Sequence, residues 1–370
     1  MAIKNAQMAD FIAATLDDLP KQYFEVMWDN EDYEFCRIYQ SERMEIDGGP
    51  NIVRKVMLDH SGNARYRRLY DTDEPTVGDV LDTITVPWTQ IGTNYSWDVL
   101  EIKRNSSSAK GFIRLMEVRR IDGLWSLADL IEERAWKCPQ SATDDLYPYG
   151  VPYYINHMNR ATTTAGFVGK TVLYQNGSTG TSCAGIDAGD SGEAKWRNWA
   201  ALYTAVDNAL LKTFRKAFLK TRFKAPLIIN DPARVSTAAK RIYCDSDTAI
   251  EMQDLADQRD DKHTGKELLG NIRMDDGGLV YINRLPVVYI PQLEGYTTPQ
   301  TSYETETAPI YCVDFRKFTP YVQEGYWMVE SEPMTDRRQH TTWTVFLDGS
   351  HNNLCENRRT CGFVLHKAIA

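Results

Sequence analysis

The residues best suited to metal chemistry in this chain are a small acidic cluster and six scattered histidines. Asp245, Asp247 and Glu251 could offer carboxylate oxygens to a divalent cation. An EF-hand calcium loop needs more ligands, a central glycine and a glutamate at its twelfth position, so these carboxylates are better explained as residues that begin and cap a helix. No two histidines lie within four residues of each other, and we predict no metal site.

Glycines between residues 177 and 192 raise the question of a phosphate-binding loop. The chain has no G-x-x-x-x-G-K-[ST] run, no nucleophile elbow, no H-E-x-x-H and no dinucleotide-binding glycine fingerprint after a strand. The glycine-rich stretch is therefore read as a surface loop. We expect no cofactor and no enzymatic activity, while an enzyme with an unfamiliar motif stays open as an alternative.

Composition limits the function further. The 370 residues are 42% hydrophobic and carry a formal net charge of −9, which permits two or three compact units and argues against a protein that mainly coats nucleic acid. The seven cysteines are scattered without C-x-x-C spacing, so a reducing cytoplasm fits better than a disulfide framework. No segment has the apolar length of a membrane span or a signal peptide.

The first third of the chain predicts an arm followed by a hairpin. Residues 1–50 carry an amphipathic stretch and many aromatics that need burial on another part of the chain or on another chain. Residues 51–119 are β-rich and predict a long hairpin with a turn at Ser61–Asn63. Arginines and acidic residues are segregated along it, which favours docking between chains, although an ordinary solvated hairpin is the simpler alternative. The residues concerned are Arg65, Arg67, Arg68, Asp71, Asp73 and Glu74.

Apolar periodicity predicts four helices. The first spans Trp125 to about Lys137, with Ser126 as its cap and Pro139 beyond its end. The longest spans about Glu193 to Arg222, where aromatic and aliphatic residues recur three and four apart. Two shorter ones are predicted at residues 235–242 and 248–259.

The remaining apolar runs predict strands. Residues 227–230, 279–282 and 286–291 are strand candidates, the last two joined by Asn283-Arg284, and residues 190–308 as a whole predict an α/β unit with its own core. Thr342–Leu347 and Cys361–Leu365 predict two terminal strands, with a turn at Asp348-Gly349. The polar run from Ser350 to Arg359 is interpreted as a surface for neighbouring chains.

In this order the parts resemble those of a tailed-bacteriophage major capsid protein of the Hong Kong 97 type. The stretches that carry the resemblance span most of the chain. They are Asn63–Arg68 with Val86-Pro87-Trp88, Trp125–Cys138, Trp196–Trp199, Ile229–Pro232, Leu285–Val288 and Arg358–Phe363.

The resemblance implies an α+β fold and a division of the chain into five parts. These are an N-terminal arm (1–50), an E-loop with flanking strands (51–119), a P-domain segment with a spine helix and loop (120–190), a long helix with the A-domain (191–308) and a return to the P-domain strands (309–370). It also implies an interface between subunits. The candidate residues are Arg65, Arg67, Arg68, Asp71, Asp73, Glu74, Trp88, Arg358 and Arg359.

The same resemblance implies a function as a shell protein. Hexamers and pentamers would close an icosahedral head around double-stranded DNA, without sequence-specific binding, in the virion after assembly in the bacterial cytoplasm. The implied partners are a separate scaffolding protein, since only a short arm precedes the E-loop, together with a portal and a decoration protein. Some family members join subunits covalently through a lysine and an asparagine, with an acidic residue as catalyst. These three residues cannot be placed here, so no catalytic role is transferred.

Two alternatives remain at this stage. One is an encapsulin-like compartment, which would share the fold and hold a cargo protein instead of DNA. The other, from a different class, is a soluble cytoplasmic enzyme built on residues 190–308, which would form a small oligomer around a pocket with perturbed titratable groups.

Overall fold

The computed structural model describes residues 33–70, 72, 78, 80–98, 100–101, 109–159, 161–222, 240–260, 272–275, 278–295, 307–336 and 339–368. The helices in these residues are α1 (Glu34–Ser41), α2 (Ala109–Ala135), α3 (Val151–Tyr154), α4 (Asn208–Thr221), α5 (Ser246–Asp260) and α6 (Arg358–Cys361), with a 3-10 turn at Pro291–Leu293. The strands before residue 200 are β1 (Met44–Ile46), β2 (Asn51–Met57), β3 (Leu81–Pro87), β4 (Thr89–Asp98), β5 (Gly166–Gly169), β6 (Val172–Leu173), β7 (Thr179–Gly180), β8 (Ser182–Cys183), β9 (Ile186–Asp187) and β10 (Asn198–Leu202). The later strands are β11 (Lys240–Cys244), β12 (Ile272–Met274), β13 (Val280–Ile282), β14 (Leu285–Tyr289), β15 (Ile310–Asp314), β16 (Phe318–Gln323), β17 (Val329–Glu330), β18 (Met334–Asp336), β19 (Gln339–Cys355) and β20 (Gly362–His366).

The larger sheet has eight strands in the order β12-β13-β14-β11-β15-β20-β10-β5. The pairs β10/β20 and β11/β14 are parallel, and the other neighbours are antiparallel. Its central strands are buried on both faces, because alternate residues enter two different hydrophobic clusters. Tyr243 packs into the cluster that contains α1 and α2, whereas Ile242 and Cys244 pack into the cluster that contains α4 and α5. This sheet therefore lies between two helical layers.

The smaller sheet is organised around β19, a strand of 17 residues. One edge of β19 pairs with β4 from Thr342↔Asp98 to His351↔Thr89, and the other edge pairs in turn with β18, β17 and β16. β1 adds to β16 in parallel. A single long strand thus connects the region around α2 to the main core.

The segment between residues 51 and 87 forms a two-stranded hairpin that belongs to neither large sheet. β2 pairs with β3 from Asn51↔Pro87 to Met57↔Leu81, and Gly62 has a φ of 69° in the connecting loop. Ile52, Ile84 and Val86 are buried in the main core. The predicted hairpin is confirmed for residues 51–87, with its base fixed to the rest of the chain. The prediction was wrong beyond residue 87, because β4 pairs with β19 and a helix begins at residue 109.

Several other sequence predictions agree with the structure. α5 covers the helix predicted at 248–259, and the side chain of Asp245 accepts a hydrogen bond from the backbone nitrogen of Thr248 at 3.2 Å, as a cap does. β13 and β14 are the predicted hairpin, with Asn283 and Arg284 both at positive φ in its turn. The residues predicted as an amphipathic arm (9–16) and as a strand (227–230) lie outside the described residues.

The two longest helix predictions were wrong in extent. α2 begins at residue 109 rather than 125, because the residues before Trp125 are also good helix formers and the helix continues through Gly123. The segment predicted as one helix from residue 193 to residue 222 is divided in the structure. Its first part contains the strand β10, which is buried on both faces, and the helix α4 begins only after Asp207. Asp207 caps α4 by accepting hydrogen bonds from the backbone nitrogens of Ala209 and Leu210.

Two further predictions were wrong in type. Residues 240–242, expected at the end of a helix, open β11, a strand in which Ile242 and Cys244 pack into one of the two clusters on either side of the sheet and Tyr243 into the other. Asp348-Gly349, expected as a turn, lies inside β19 and is paired with Ile91 and Gly92 of β4. Gly349 serves close packing there, since an added Cβ would lie 3.0 Å from the Trp327 ring.

Candidate interaction surface

The loop at the far end of the β2–β3 hairpin carries large side chains that the subunit does not cover. Every residue from 59 to 70 is exposed, and Tyr66 and Tyr70 have relative exposures of 107% and 97%. Leu69 between them is exposed as well. Clustered exposed apolar side chains of this kind favour contact with another molecule.

The same loop carries the candidate arginines. Arg65, Arg67 and Arg68 are exposed, and the guanidinium of Arg65 donates a hydrogen bond to the backbone oxygen of Thr72 at 2.6 Å, within the loop itself. Their expected acidic partners Asp71, Asp73 and Glu74 lie outside the described residues. The structure therefore places the three arginines together on an exposed loop, and their role at an interface stays a prediction.

The outer face of the hairpin is also apolar. Val53, Met57 and Leu81 are exposed, and Met57 and Leu81 are cross-strand neighbours. The inner face of the same strands carries the buried isoleucines and valine that join the main core. Alternation along a strand predicts two faces but does not say which of them is covered.

Trp88 connects the hairpin to the body of the subunit. It is half-buried and packs against the main core, and its indole nitrogen is buried without a hydrogen-bond partner among the described residues. A buried indole N–H normally finds an acceptor. Because Trp88 packs against the core of its own chain, its predicted place at an interface remains untested.

Arg358 corrects the interpretation of the polar run 350–359 as a docking surface. Its side chain is fully buried, with 0% relative exposure. Its guanidinium donates hydrogen bonds to the backbone oxygens of Tyr154 at 2.8 Å, Trp196 at 3.0 Å and Gly169 at 3.1 Å. Arg358 thus joins three segments inside the subunit and is withdrawn from the set of interface residues.

The asparagines of the same polar run are internal as well. Asn352 accepts a hydrogen bond from the backbone nitrogen of Tyr149 at 2.8 Å and donates one to the backbone oxygen of Pro87 at 2.7 Å. Asn353 donates one to the backbone oxygen of Tyr149 at 2.9 Å. Amide side chains satisfy buried backbone groups where loops meet β19, which explains why so polar a sequence lies inside.

Arg359 differs from its neighbour, because its side chain is only half-buried. The guanidinium lies 3.8 Å from the centre of the Phe167 ring, and desolvation lowers its pKa. It remains a candidate for contact with another molecule.

The first described helix is fastened to α2 by a buried carboxylate. Glu132 accepts hydrogen bonds from the backbone nitrogens of Phe35 at 2.8 Å and Cys36 at 3.4 Å, and from the indole nitrogen of Trp136 at 3.0 Å. Burial raises the pKa of Glu132 to about 7, partly offset by these three donors. Sequence reasoning missed this residue, because a glutamate inside a charged helix carries no sign of its distant partner.

Three of the histidines that sequence analysis considered for metal chemistry are buried in the core. His351 is buried against the rings of both Tyr39 and Trp327, and desolvation lowers its pKa to about 4. His157 and His366 pack against each other in the core, where burial lowers both pKa values. Within the described ranges, no group of three or more His, Cys, Asp or Glu side chains is placed to hold a metal ion. The seven cysteines are free thiols.

None of the helices in the described residues has the length and apolar character needed to cross a membrane.

Comparison with solved structures identifies the fold. No protein-family model matches the chain, and no curated protein matches it by sequence. A chain of the capsid of cyanophage A-1(L) aligns with a TM-score of 0.55 and 12% identity over 97% of this chain and 99% of that one. The capsids of native and empty GTA particles each align with a TM-score of 0.52 and 10% identity, over 95% and 94% of this chain respectively and 96% and 100% of theirs. The chain therefore has the α+β fold of these capsid proteins along nearly its whole length, as the resemblance in sequence predicted.

Proposed function

We propose that the chain is a major capsid protein that assembles into the icosahedral head of a tailed phage. The observation that carries the proposal is the shared fold over 97% of the chain, since 99% of the cyanophage capsid chain is matched in return.

The exposed hairpin loop supports this proposal physically. A closed shell needs heterologous contacts that repeat around symmetry axes, and a projecting hairpin with uncovered Tyr66 and Tyr70 provides surface for such a contact. Many moderate interfaces then stabilise the shell together. The buried base of the hairpin supplies the rigid support that such a contact requires.

The finer parts of the proposal follow the resemblance to the Hong Kong 97 type. Hexamers and pentamers would form the shell in the virion, with double-stranded DNA inside and a scaffolding protein, a portal and a decoration protein as partners. In this division β19 with α2 would belong to the P-domain, and the outer strands of the larger sheet to the A-domain. The net charge of −9 fits a wall that does not bind the packaged DNA tightly.

Electron microscopy of the purified chain tests the proposal. The chain would be expressed alone and, if a scaffolding protein is encoded beside its gene, together with that protein, and the products imaged by negative stain. Closed polyhedral particles are the expected result. A small discrete oligomer under both conditions would contradict the proposal and favour the enzyme alternative, and closed particles that contain a cargo protein in their natural host would favour the compartment.

A further inference from the structure

A second surface, distinct from the exposed aromatic side chains of the hairpin loop, is a basic groove along the outer part of β2, next to that loop. The groove has a volume of about 540 Å³, and its wall combines the outer part of β2 with residues near α6. Five of the twelve residues that line it are cationic and one is acidic. The lining consists of Arg54, Lys55, Val56, Met57, Leu58, Lys195, Trp196, Lys317, Glu356, Asn357, Arg359 and Thr360. In a chain with a net charge of −9, this is a strong local excess of positive charge.

The cations of the groove are only partly compensated by the subunit. Lys195 forms an ion pair with Asp59 at 2.6 Å, on the exposed surface. Among the described residues, no acidic side chain lies within ion-pair distance of Lys55, Lys317 or Arg359. The groove therefore favours an anionic ligand.

The groove also contains a polar group that lacks a partner. The hydroxyl of Thr360 is buried and makes no hydrogen bond with the described residues. A buried hydroxyl without a partner is unfavourable, so a ligand that accepts or donates a hydrogen bond here would remove that penalty. This observation is independent of the charge of the groove.

The backbone of β2 indicates what shape of ligand fits. Five consecutive residues, 54–58, line the groove, although successive side chains of a strand point to opposite faces. A groove that contacts all five must run along the edge of the strand. That edge spans about 16 Å, at about 3.3 Å per residue.

The hydrogen bonds of the hairpin show that this edge is unpaired. The backbone nitrogen of Leu58 donates to the oxygen of Val80, so residues 58, 56 and 54 direct their backbone groups towards β3. Lys55 and Met57 alternate with them and direct their N–H and C=O groups away from β3. In the described part of the chain, no strand other than β3 pairs with β2.

From the unpaired edge and the charge together, we propose that the groove binds an extended acidic peptide segment, which adds as a strand to β2 beside Lys55 and Met57. Its backbone forms the ladder hydrogen bonds, and carboxylates on alternate residues face Lys317 and Arg359. A strand repeats its side-chain direction every second residue, so acidic residues two apart fit this site better than a block of them. The proposal concerns the single subunit and does not depend on the proposed shell.

Nucleic acid is the less suitable anion for this groove. Single-stranded nucleic acid binds through exposed aromatic rings that stack on bases, and the aromatic residue in the groove, Trp196, is buried. A nucleic acid also has no peptide backbone that could form the regular strand-to-strand hydrogen bonds with the outward N–H and C=O groups of β2. The test of the proposal therefore compares an acidic peptide with a single-stranded oligonucleotide.

Fluorescence anisotropy with the full chain tests the proposal. The probes are a labelled ten-residue peptide of alternating glutamate and valine, a peptide of the same composition with the glutamates in one block, and a labelled ten-nucleotide oligothymidylate. The alternating peptide is expected to bind saturably, at least about tenfold more tightly than either of the others. Absence of saturable binding, equal binding of the block peptide, or preference for the oligonucleotide would each overturn the proposal.

Variants locate the binding. Lys317→Glu is expected to weaken binding of the alternating peptide at least about tenfold, as loss of a charge-assisted hydrogen bond does. Lys55→Pro removes one outward N–H without removing a bond to β3, and is expected to weaken binding about fivefold or more. Lys216→Glu, an exposed lysine on α4, is the matched charge control and should leave binding unchanged. If Lys317→Glu fails to fold by circular dichroism, Lys195→Glu on the exposed rim replaces it; unchanged binding in the folded variants would refute the site.

Discussion

The carboxylate of Glu132 lies 2.8 Å from the backbone nitrogen of Phe35, a residue 97 positions earlier in the chain. Phe35 is the second residue of α1, so the side chain of Glu132 in α2 accepts a hydrogen bond from a backbone N–H that has no partner within α1, as a helix-capping side chain normally does. The residue before α1 has no side chain bonded to these amides. The start of the described chain therefore depends on an acid that is buried in another helix.

The burial of Glu132, which outweighs its hydrogen bonds in setting its pKa, predicts an unusual dependence of stability on pH. Because the pKa of Glu132 is raised from 4.5 to about 7, the folded state binds a proton more tightly than the unfolded state does. The contribution of this group is full below pH 4.5 and is lost as the pH rises to about 7, by about 3 kcal/mol. Glu132→Gln should remove that decline, as measured by urea denaturation of both proteins between pH 4.5 and 8.

Glu133→Gln is the control for this experiment. The pKa of Glu133 is lowered by its hydrogen bond to Lys137, so its contribution has the opposite sign, being lost as the pH falls. The Glu133→Gln protein should keep the decline between pH 4.5 and 7. Parallel stability curves for the natural protein and Glu132→Gln would show that Glu132 is not the group responsible.

Arg358→Lys should destabilise the subunit strongly. The guanidinium joins backbone oxygens from three segments, and an ammonium group cannot reach all three from one position. We expect a loss of about 3–5 kcal/mol in the free energy of unfolding, since buried acceptors are left unsatisfied around a buried charge. Arg359→Lys, next in sequence but half-buried against Phe167, should cost no more than about 1 kcal/mol. Equal losses in chemical denaturation would contradict this difference.

Gly362→Ala should be poorly tolerated for reasons of space. A Cβ at Gly362 would lie 2.1 Å from the backbone oxygen of Cys312 and 2.7 Å from the Ile155 side chain, in the middle of the larger sheet. The backbone of β15 would have to move, and we expect a loss of at least about 2 kcal/mol. Gly192→Ala is the matched control, because an added Cβ there meets no atom within 4 Å. Similar melting temperatures for the two variants would refute the packing argument.

The sequence predicted the hairpins and α5 because their signals are local. Asn283-Arg284 between apolar runs and Asp245 before a helix each act on their immediate neighbours. β10 was misread because a strand buried on both faces shows no alternation, so Trp196, Trp199 and Tyr203 fit helical spacing equally well.

The buried polar residues could not be predicted for a related reason. Arg358 lies in a run of amides and charges that has the composition of a surface, and three backbone oxygens meet around it only after the fold has formed. Gly349 was mispredicted for a similar reason. Asp-Gly is typical of a turn, and nothing local in the sequence shows that this glycine is needed for close packing against Trp327 inside a strand. Of the candidate interaction surface, the exposed loop was predictable, whereas the residues that support it were not.

Charge reversal at Arg67 and Arg68 should prevent particle assembly. Both side chains are exposed on the hairpin loop, so replacement by glutamate should change the stability of the isolated subunit by no more than about 0.5 kcal/mol. An interface that pairs them with acidic residues would instead meet like charges. Arg215→Glu with Lys216→Glu on α4 is the control of equal charge change. Normal particle yield by sedimentation would exclude a role for the two arginines at an interface.

Replacing Tyr66 and Tyr70 with serine tests the apolar part of the same loop. The two rings have relative exposures of 107% and 97%, so their removal takes no packing from the subunit, and its melting temperature should not change. A partner that buries them would lose contacts of the kind that contribute about 2 kcal/mol or more each, and a shell repeats that loss at every copy. Closed particles should therefore be absent from electron micrographs. Leu219→Ser is the control, because Leu219 is also apolar and 74% exposed but lies on α4. If the double variant forms particles in the same yield as the control, the loop does not join subunits, and the contact that closes the shell must be sought on another face of the protein.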